Sequence, residues 1–87
     1  KLNKKNAFIL LKHLHDSLTG GKFALKNWKS EMIGWGKGKG VGPKEIMQAI
    51  RIALIGSLNG PDLVSVSLLI GEVNFLKRLK SFMEFLK

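Results

Sequence analysis

The stretch QAIRIALIGSLNGPDL, Gln48 to Leu63, decides the fold. From Ile46 to Ile55 nearly every side chain is apolar, and only Gln48 and Arg51 interrupt the run. A helix that is apolar nearly all round lies inside a domain. Lys44, Gln48 and Arg51 are spaced by four and then three residues, so they share one helix face. A buried helix carrying one narrow polar stripe is therefore expected. Gly56 and Ser57 stop it. Gly60-Pro61-Asp62 then restarts the chain, with Pro61 at a first helical position and Asp62 in the first turn, where the helix dipole favours a carboxylate. An amide and a guanidinium beside a helix N-terminus form a binding geometry, and equally an ordinary packing geometry.

Upstream, the same helix opens at Pro43 with Glu45 in its first turn. The run GWGKGKGVGPKE, Gly34 to Glu45, precedes it. It lacks the frame of a Walker loop, and no strand leads into it as a dinucleotide fingerprint would require. Lys37 and Lys39 on such a loop suit phosphate contact, and a mobile solvated linker is the other reading. A helix is expected over about Ala24 to Ile33, with Leu25, Trp28, Met32 and Trp35 at core spacing. Trp28 reads as core. Trp35, among glycines and lysines, reads as core or as a base-stacking platform. The first helix runs from about Lys5 to Ser17, burying Ala7, Leu10, Leu11, Leu14 and Leu18, and Thr19-Gly20-Gly21 ends it. His13, His15 and Asp16 invite a metal or acid–base reading. The two histidines point in different directions on a helix, and the chain has no third histidine and no cysteine, so solvated helix residues are the better reading.

Downstream, Pro61 to Ile70 reads as a short apolar helix. Val64-Ser65-Val66-Ser67 alternates like a strand, but nothing in the chain pairs with it. Gly71 caps it, and a last helix runs from Glu72 to about Leu86 with Phe75, Leu79, Phe82 and Leu86 inward, widened by Val73, Leu76 and Met83. Lys77, Arg78 and Lys80 lie on its outer sides. The expected architecture is all-α, a compact bundle of about five short helices forming a single domain over residues 1–87.

With 87 residues the chain builds one small core. Fifteen Lys and Arg against six Asp and Glu give +9, a field that favours polyanions such as nucleic acid or an anionic membrane surface. A basic surface kept for solubility is the plainer reading. No cysteine is present, which removes disulfide and thiolate-metal chemistry. No apolar run is long enough to span a bilayer. The basic-then-apolar start resembles a signal peptide, but Lys12 and His13 interrupt it and no cleavage site follows. The missing initiator methionine points to a piece of a longer protein.

Within these helices, Ala49-Ile50-Arg51-Ile52-Ala53-Leu54-Ile55-Gly56, followed by Gly60-Pro61-Asp62-Leu63, resembles a signature near the C-terminus of bacterial glutamyl-tRNA synthetases. Ile70-Gly71-Glu72, the run Phe75 to Leu79, and Trp28, Met32 and Lys39-Gly40-Val41 resemble the family more loosely. The resemblance covers about residues 23–87. It implies the distal part of a helical anticodon-binding module, with Gln48 and Arg51 on anticodon bases and the Gly60-Pro61-x-Leu63 turn against the anticodon loop. With Lys37, Lys39 and Lys44, these are the expected RNA-binding residues. The departures are Ala49 for the usual proline, Ile55 for threonine, Glu72-Val73 for Lys-Glu, and Ala24 where a capping Thr or Ser is frequent, so helix two is expected to start raggedly. The resemblance further implies a tRNA partner, a cytoplasmic location, no cofactor in this domain, and ATP and Mg used by a catalytic half that lies outside this sequence, while the net charge, which discourages association, points to a monomer.

Three other readings compete. A DNA-binding helix-turn-helix needs exposed polar residues along the N-terminal half of its recognition helix, and helix three has few. An amphipathic membrane-surface helix would use Phe75, Phe82 and Phe85 with Lys77, Lys80 and Lys87, although a folded core explains the same aromatics. Finally, Arg51 could be a packed arginine bonding helix carbonyls.

Overall fold

The computed structural model describes residues 3–57 and 60–87. The chain runs α1 (Lys4–Thr19), a 3₁₀ turn (Leu25–Asn27), α2 (Trp28–Lys39), α3 (Pro43–Ile55) and α4 (Leu63–Leu86), all helical among the described residues. Four α-helices and a 3₁₀ turn thus replace the five helices expected. The last two expected helices form the single α4, broken where Gly71 takes φ 85° and ψ 161°, a conformation that side-chain-bearing residues rarely adopt. Asn74 Nδ2 donates to the Ile70 carbonyl at this kink, 2.9 Å away. Glycine is an ordinary cause of so sharp a bend, and it turns the second half of α4 back along α1 and α3, against both of which α4 packs.

The core is a single cluster. Leu10, Leu11, Leu14 and Leu18 of α1 meet Trp28 and Met32 of α2, Ile46, Ala49, Ile50 and Leu54 of α3, and Leu63, Phe75, Leu79 and Met83 of α4. The three- and four-residue steps seen in the sequence carry these contacts. Trp28 is fully buried, as its spacing suggested, and its indole Nε1 donates to Ser67 Oγ at 2.8 Å. Ser67 in turn donates to the Val64 carbonyl at 2.7 Å. A buried indole N–H needs such a partner, and this bond ties α2 to the first half of α4. Val64 to Ser67 is helix, not strand.

Several boundaries differ from the sequence reading. Helix two begins raggedly, as expected, because neither Ala24 nor Asn27 provides a side-chain cap. It then continues to Lys39, through glycines that should weaken it. The cause is tertiary. Gly36 packs directly on α3, where a Cβ would collide with Ile46 Cδ1 and lie 2.9 Å from the Val41 carbonyl oxygen. The glycine–lysine segment is therefore the last turns of α2, and only Gly40 to Gly42 connects it to α3. Helix three is less enclosed than its composition suggests. Met47, Ile52, Ala53 and Ile55 are only half-buried and Gln48 is exposed, so α3 lies at the edge of the domain. Leu68, Leu69 and Val73, beside the kink, face solvent, Leu69 at 87% exposure. Among the described residues no helix is long and apolar enough to cross a membrane.

Candidate nucleic-acid interface

The α3 C-terminus brings the sequence-marked residues together. Gly56, at φ 68°, terminates α3 in the left-handed conformation and its N–H bonds the Ile52 carbonyl at 2.9 Å. Arg51 lies one turn earlier and its Nη1 donates to the Pro61 carbonyl at 2.9 Å, spanning the connection to α4. Gly60 approaches closely: a Cβ there would lie 3.0 Å from Ile55 Cδ1 and 3.7 Å from Arg51 Nη1. With φ at 146°, this position suits glycine on both counts. The guanidinium carries five N–H donors in a planar fork, so the bond to Pro61 leaves others for a ligand. Gln48 is exposed on the preceding turn and Lys44 one turn before that. The stripe Lys44, Gln48, Arg51 therefore covers about 10 Å of the α3 surface at 1.5 Å per residue.

The start of α4 differs by two residues from its expected position. Pro61 lies outside the helix. Asp62 is the N-cap, its Oδ2 accepting from the Ser65 backbone N–H and from Ser65 Oγ, both at 3.0 Å. These two bonds hold the Asp62 carboxyl below its usual range, with Lys29 and Arg51 nearby adding smaller favourable attractions. Lys29, from the first turn of α2, is thus close enough to add to the positive field at this turn. Sequence reading missed it, because no local pattern marks a lysine whose neighbour lies more than thirty positions away.

The remaining expected contacts divide. Leu63 is fully buried in the core, which removes it from any surface and makes it the packing anchor of the turn. Lys37 and Lys39 are exposed on the last turn of α2 rather than on a loop. Lys39 lines a groove of about 650 Å³ between α1 and α2, shared with Lys12, His13 and Trp35, so it belongs to a different surface from the Arg51 turn. In that groove the His13 ring stacks on Trp35, centroids 4.6 Å apart and planes 15° apart. Burial, with help from Lys22, pushes the His13 imidazole below its ordinary value. His15 Nδ1 stands 3.7 Å from Asp16 Oδ1, and Asp16 is bonded by Lys12 at 3.0 Å, which lowers its pKa. Among the described residues no three His, Cys, Asp or Glu side chains gather as metal ligands would.

Arg78 also stands out. It is exposed, as its place on the outer side of the last helix suggested, and its Nη1 also donates to the Leu54 carbonyl of α3 at 2.7 Å.

Fold and surface together define a small basic helical module whose polar stripe ends at an arginine-closed turn. The family described as "Anticodon binding domain" matches residues 1–83. The chain is 33% identical over 85 residues to a protein of Christiangramia forsetii named glutamate–tRNA ligase, covering 97% of this chain and 17% of that protein. A glutamate–tRNA ligase of Phocaeicola vulgatus is 32% identical over 65 residues, covering 75% of this chain and 13% of its own. No solved structure matches. The chain belongs to the anticodon-binding domain family, and it spans less than a fifth of the length of these curated relatives.

Proposed function

We propose that this chain reads the anticodon loop of a glutamate-accepting tRNA, as part of a cytoplasmic, monomeric glutamate–tRNA ligase. In this reading the chemistry, with ATP and Mg, belongs to the rest of that longer enzyme and this domain catalyses nothing by itself. The family match over residues 1–83 supports it, and so does the stripe of exposed Lys44 and Gln48 and half-buried Arg51 ending at the Pro61 turn. Anticodon bases are unstacked and offer free Watson–Crick edges. The Gln48 amide supplies both donors and an acceptor to such an edge, and the Arg51 fork supplies donors only. Lys44 and Lys29, at either end of the stripe, suit backbone phosphates, which position the loop without reading its sequence. Lys37 and Lys39 serve a separate electrostatic contact on α2.

The test is binding of the chain to anticodon stem-loop RNAs. With about four phosphates neutralised, log K falls against log salt with a slope near −3. Changing Lys37 and Lys39 together to Ala flattens the slope and leaves sequence preference intact. Arg51→Ala costs about 1–3 kcal/mol of discrimination between anticodon variants, by analogy with arginine contacts to base edges in DNA. Equal affinity of the unaltered chain for a glutamate stem-loop and for one with a scrambled anticodon would sink the reading.

A further inference from the structure

The chain has thirteen lysines but only two arginines, Arg51 and Arg78. Both arginines donate to main-chain carbonyls at the two ends of one connection: Arg51 to Pro61 at 2.9 Å and Arg78 to Leu54 at 2.7 Å. We infer that Arg78 is a positioning residue for anticodon reading, holding the last turn of α3 so that the Arg51 fork faces the loop it reads. This inference rests on the function proposed above.

The physical case begins with the helix end. The last four carbonyls of a helix lack intrahelical partners. In α3 the Gly56 N–H takes the Ile52 carbonyl and Arg78 takes that of Leu54. A guanidinium at a helix C-terminus is also favoured by the dipole. Leu54 lies three residues beyond Arg51, on the adjacent turn, and its side chain is buried. Fixing its carbonyl therefore fixes the final turn from which Arg51 projects. Arg78 reaches it because the Gly71 kink redirects the second half of α4 toward α3. The two clamps are unlike. Arg51 is anchored to the far side of the turn it closes and keeps donors for a base. Arg78 approaches from another helix, beside Ala53, Phe82 and Phe85, and so acts on α3 from behind.

The experiment is a double-mutant cycle on the chain, with Arg78→Met and Arg51→Ala singly and together, and Arg78→Lys as a further variant. Affinity is measured for a cognate anticodon stem-loop and for single-base anticodon variants, across salt. Met keeps much of the aliphatic stem and loses the donors, and Lys keeps a charged donor without the fork. If Arg78 acts through Arg51, Arg78→Met lowers discrimination between anticodons by about three- to tenfold, a fraction of the factor for a direct base contact. Arg78→Lys recovers part of it. In the Arg51→Ala background Arg78→Met lowers discrimination no further. The salt slope stays unchanged, because no phosphate contact is lost. A slope reduced by about one marks Arg78 as a direct phosphate contact and overturns the inference. A lower melting temperature with discrimination intact overturns it as well, leaving Arg78 as a structural clamp. Should Arg78→Met not fold, the Arg78→Lys cycle decides by the same criteria. If the unaltered chain does not discriminate between anticodons, the proposed function itself fails, and this inference with it.

Discussion

The two connections flanking α3 are built from similar residues and closed by different means. Between α2 and α3, Gly40 adopts φ 75°, the Val41 N–H bonds the Gly36 carbonyl at 2.8 Å, and the Gly42 N–H reaches Glu45 Oε1 at 3.4 Å. Backbone and close packing do nearly all the work. Between α3 and α4 two closing bonds come from side chains reaching across space, Arg51 to Pro61 and Arg78 to Leu54, and Ser65 donates to the capping Asp62 carboxylate. A joint closed by its own backbone presents little chemistry to a ligand. A joint closed by guanidinium groups holds unused donors at the surface, in fixed positions. That difference explains why glycine richness alone does not mark the face proposed to bind RNA.

The largest effect expected at the first joint comes from Gly36→Ala. Overpacking a filled core site costs about 1–3 kcal/mol, and the gain in helix propensity, about 1 kcal/mol, offsets part of it. Ile46, whose side chain a Cβ would strike, is fully buried, and the Val41 carbonyl oxygen that it would crowd is backbone. A net loss of up to about 2 kcal/mol in denaturant unfolding is expected. Unchanged stability would mean that α2 and α3 slide apart at no cost, and that the first joint is not held by packing.

A smaller loss is expected at the second joint from Asp62→Ala, which removes the N-cap of α4. It also has a pH signature. The folded-state pKa of Asp62 lies below its ordinary value of 3.8, so the unfolded chain binds its proton more readily. The carboxylate therefore contributes stability above the ordinary value and loses it as pH falls through the lowered one. The unaltered chain should lose more stability than Asp62→Ala on acidification below about pH 4. Asp16, lowered chiefly by its bond to Lys12, leaves a residual acid dependence in both. Parallel stability–pH curves would remove Asp62 from the clamp.

Local chemistry was legible in the sequence and long-range chemistry was not. The buried face of α1, the opening of α3 at Pro43 and its left-handed end at Gly56 follow from periodicity and capping rules that act over a few residues. The helical state of Gly34 to Lys39 does not, because it depends on Ile46 receiving Gly36 without a side chain between them. Propensity is a weak prior that such packing overrides. Leu63 was read as a contact because it belongs to the Gly-Pro-x-Leu signature. Its burial shows that one motif can combine a surface turn with a core anchor. Leu68 and Leu69 belong to a stretch whose apolar run gave no inward face, and both are exposed beside the kink at Gly71. Arg78 carried no local signal at all, because its carbonyl partner is 24 residues away in the chain.

The finest test of the first joint compares two glycines two residues apart. Gly38 is helical and exposed, with nothing within 4 Å of where a Cβ would be. Its lack of a side chain serves no contact, and it costs the entropy that glycine loses on entering a helix. Gly38→Ala should stabilise the chain by about 0.5–1 kcal/mol. Gly40 also has open space around it, yet its φ of 75° is left-handed. An L-residue is strained there by about 1–2 kcal/mol, so Gly40→Ala should destabilise, despite an equally uncrowded site. Opposite signs, read from unfolding midpoints at constant denaturant slope, would show that backbone conformation, and not only contact, closes this joint. If both substitutions stabilise, Gly40 can leave the left-handed region freely, and the end of α2 is less firmly set than its bond from Val41 to Gly36 implies.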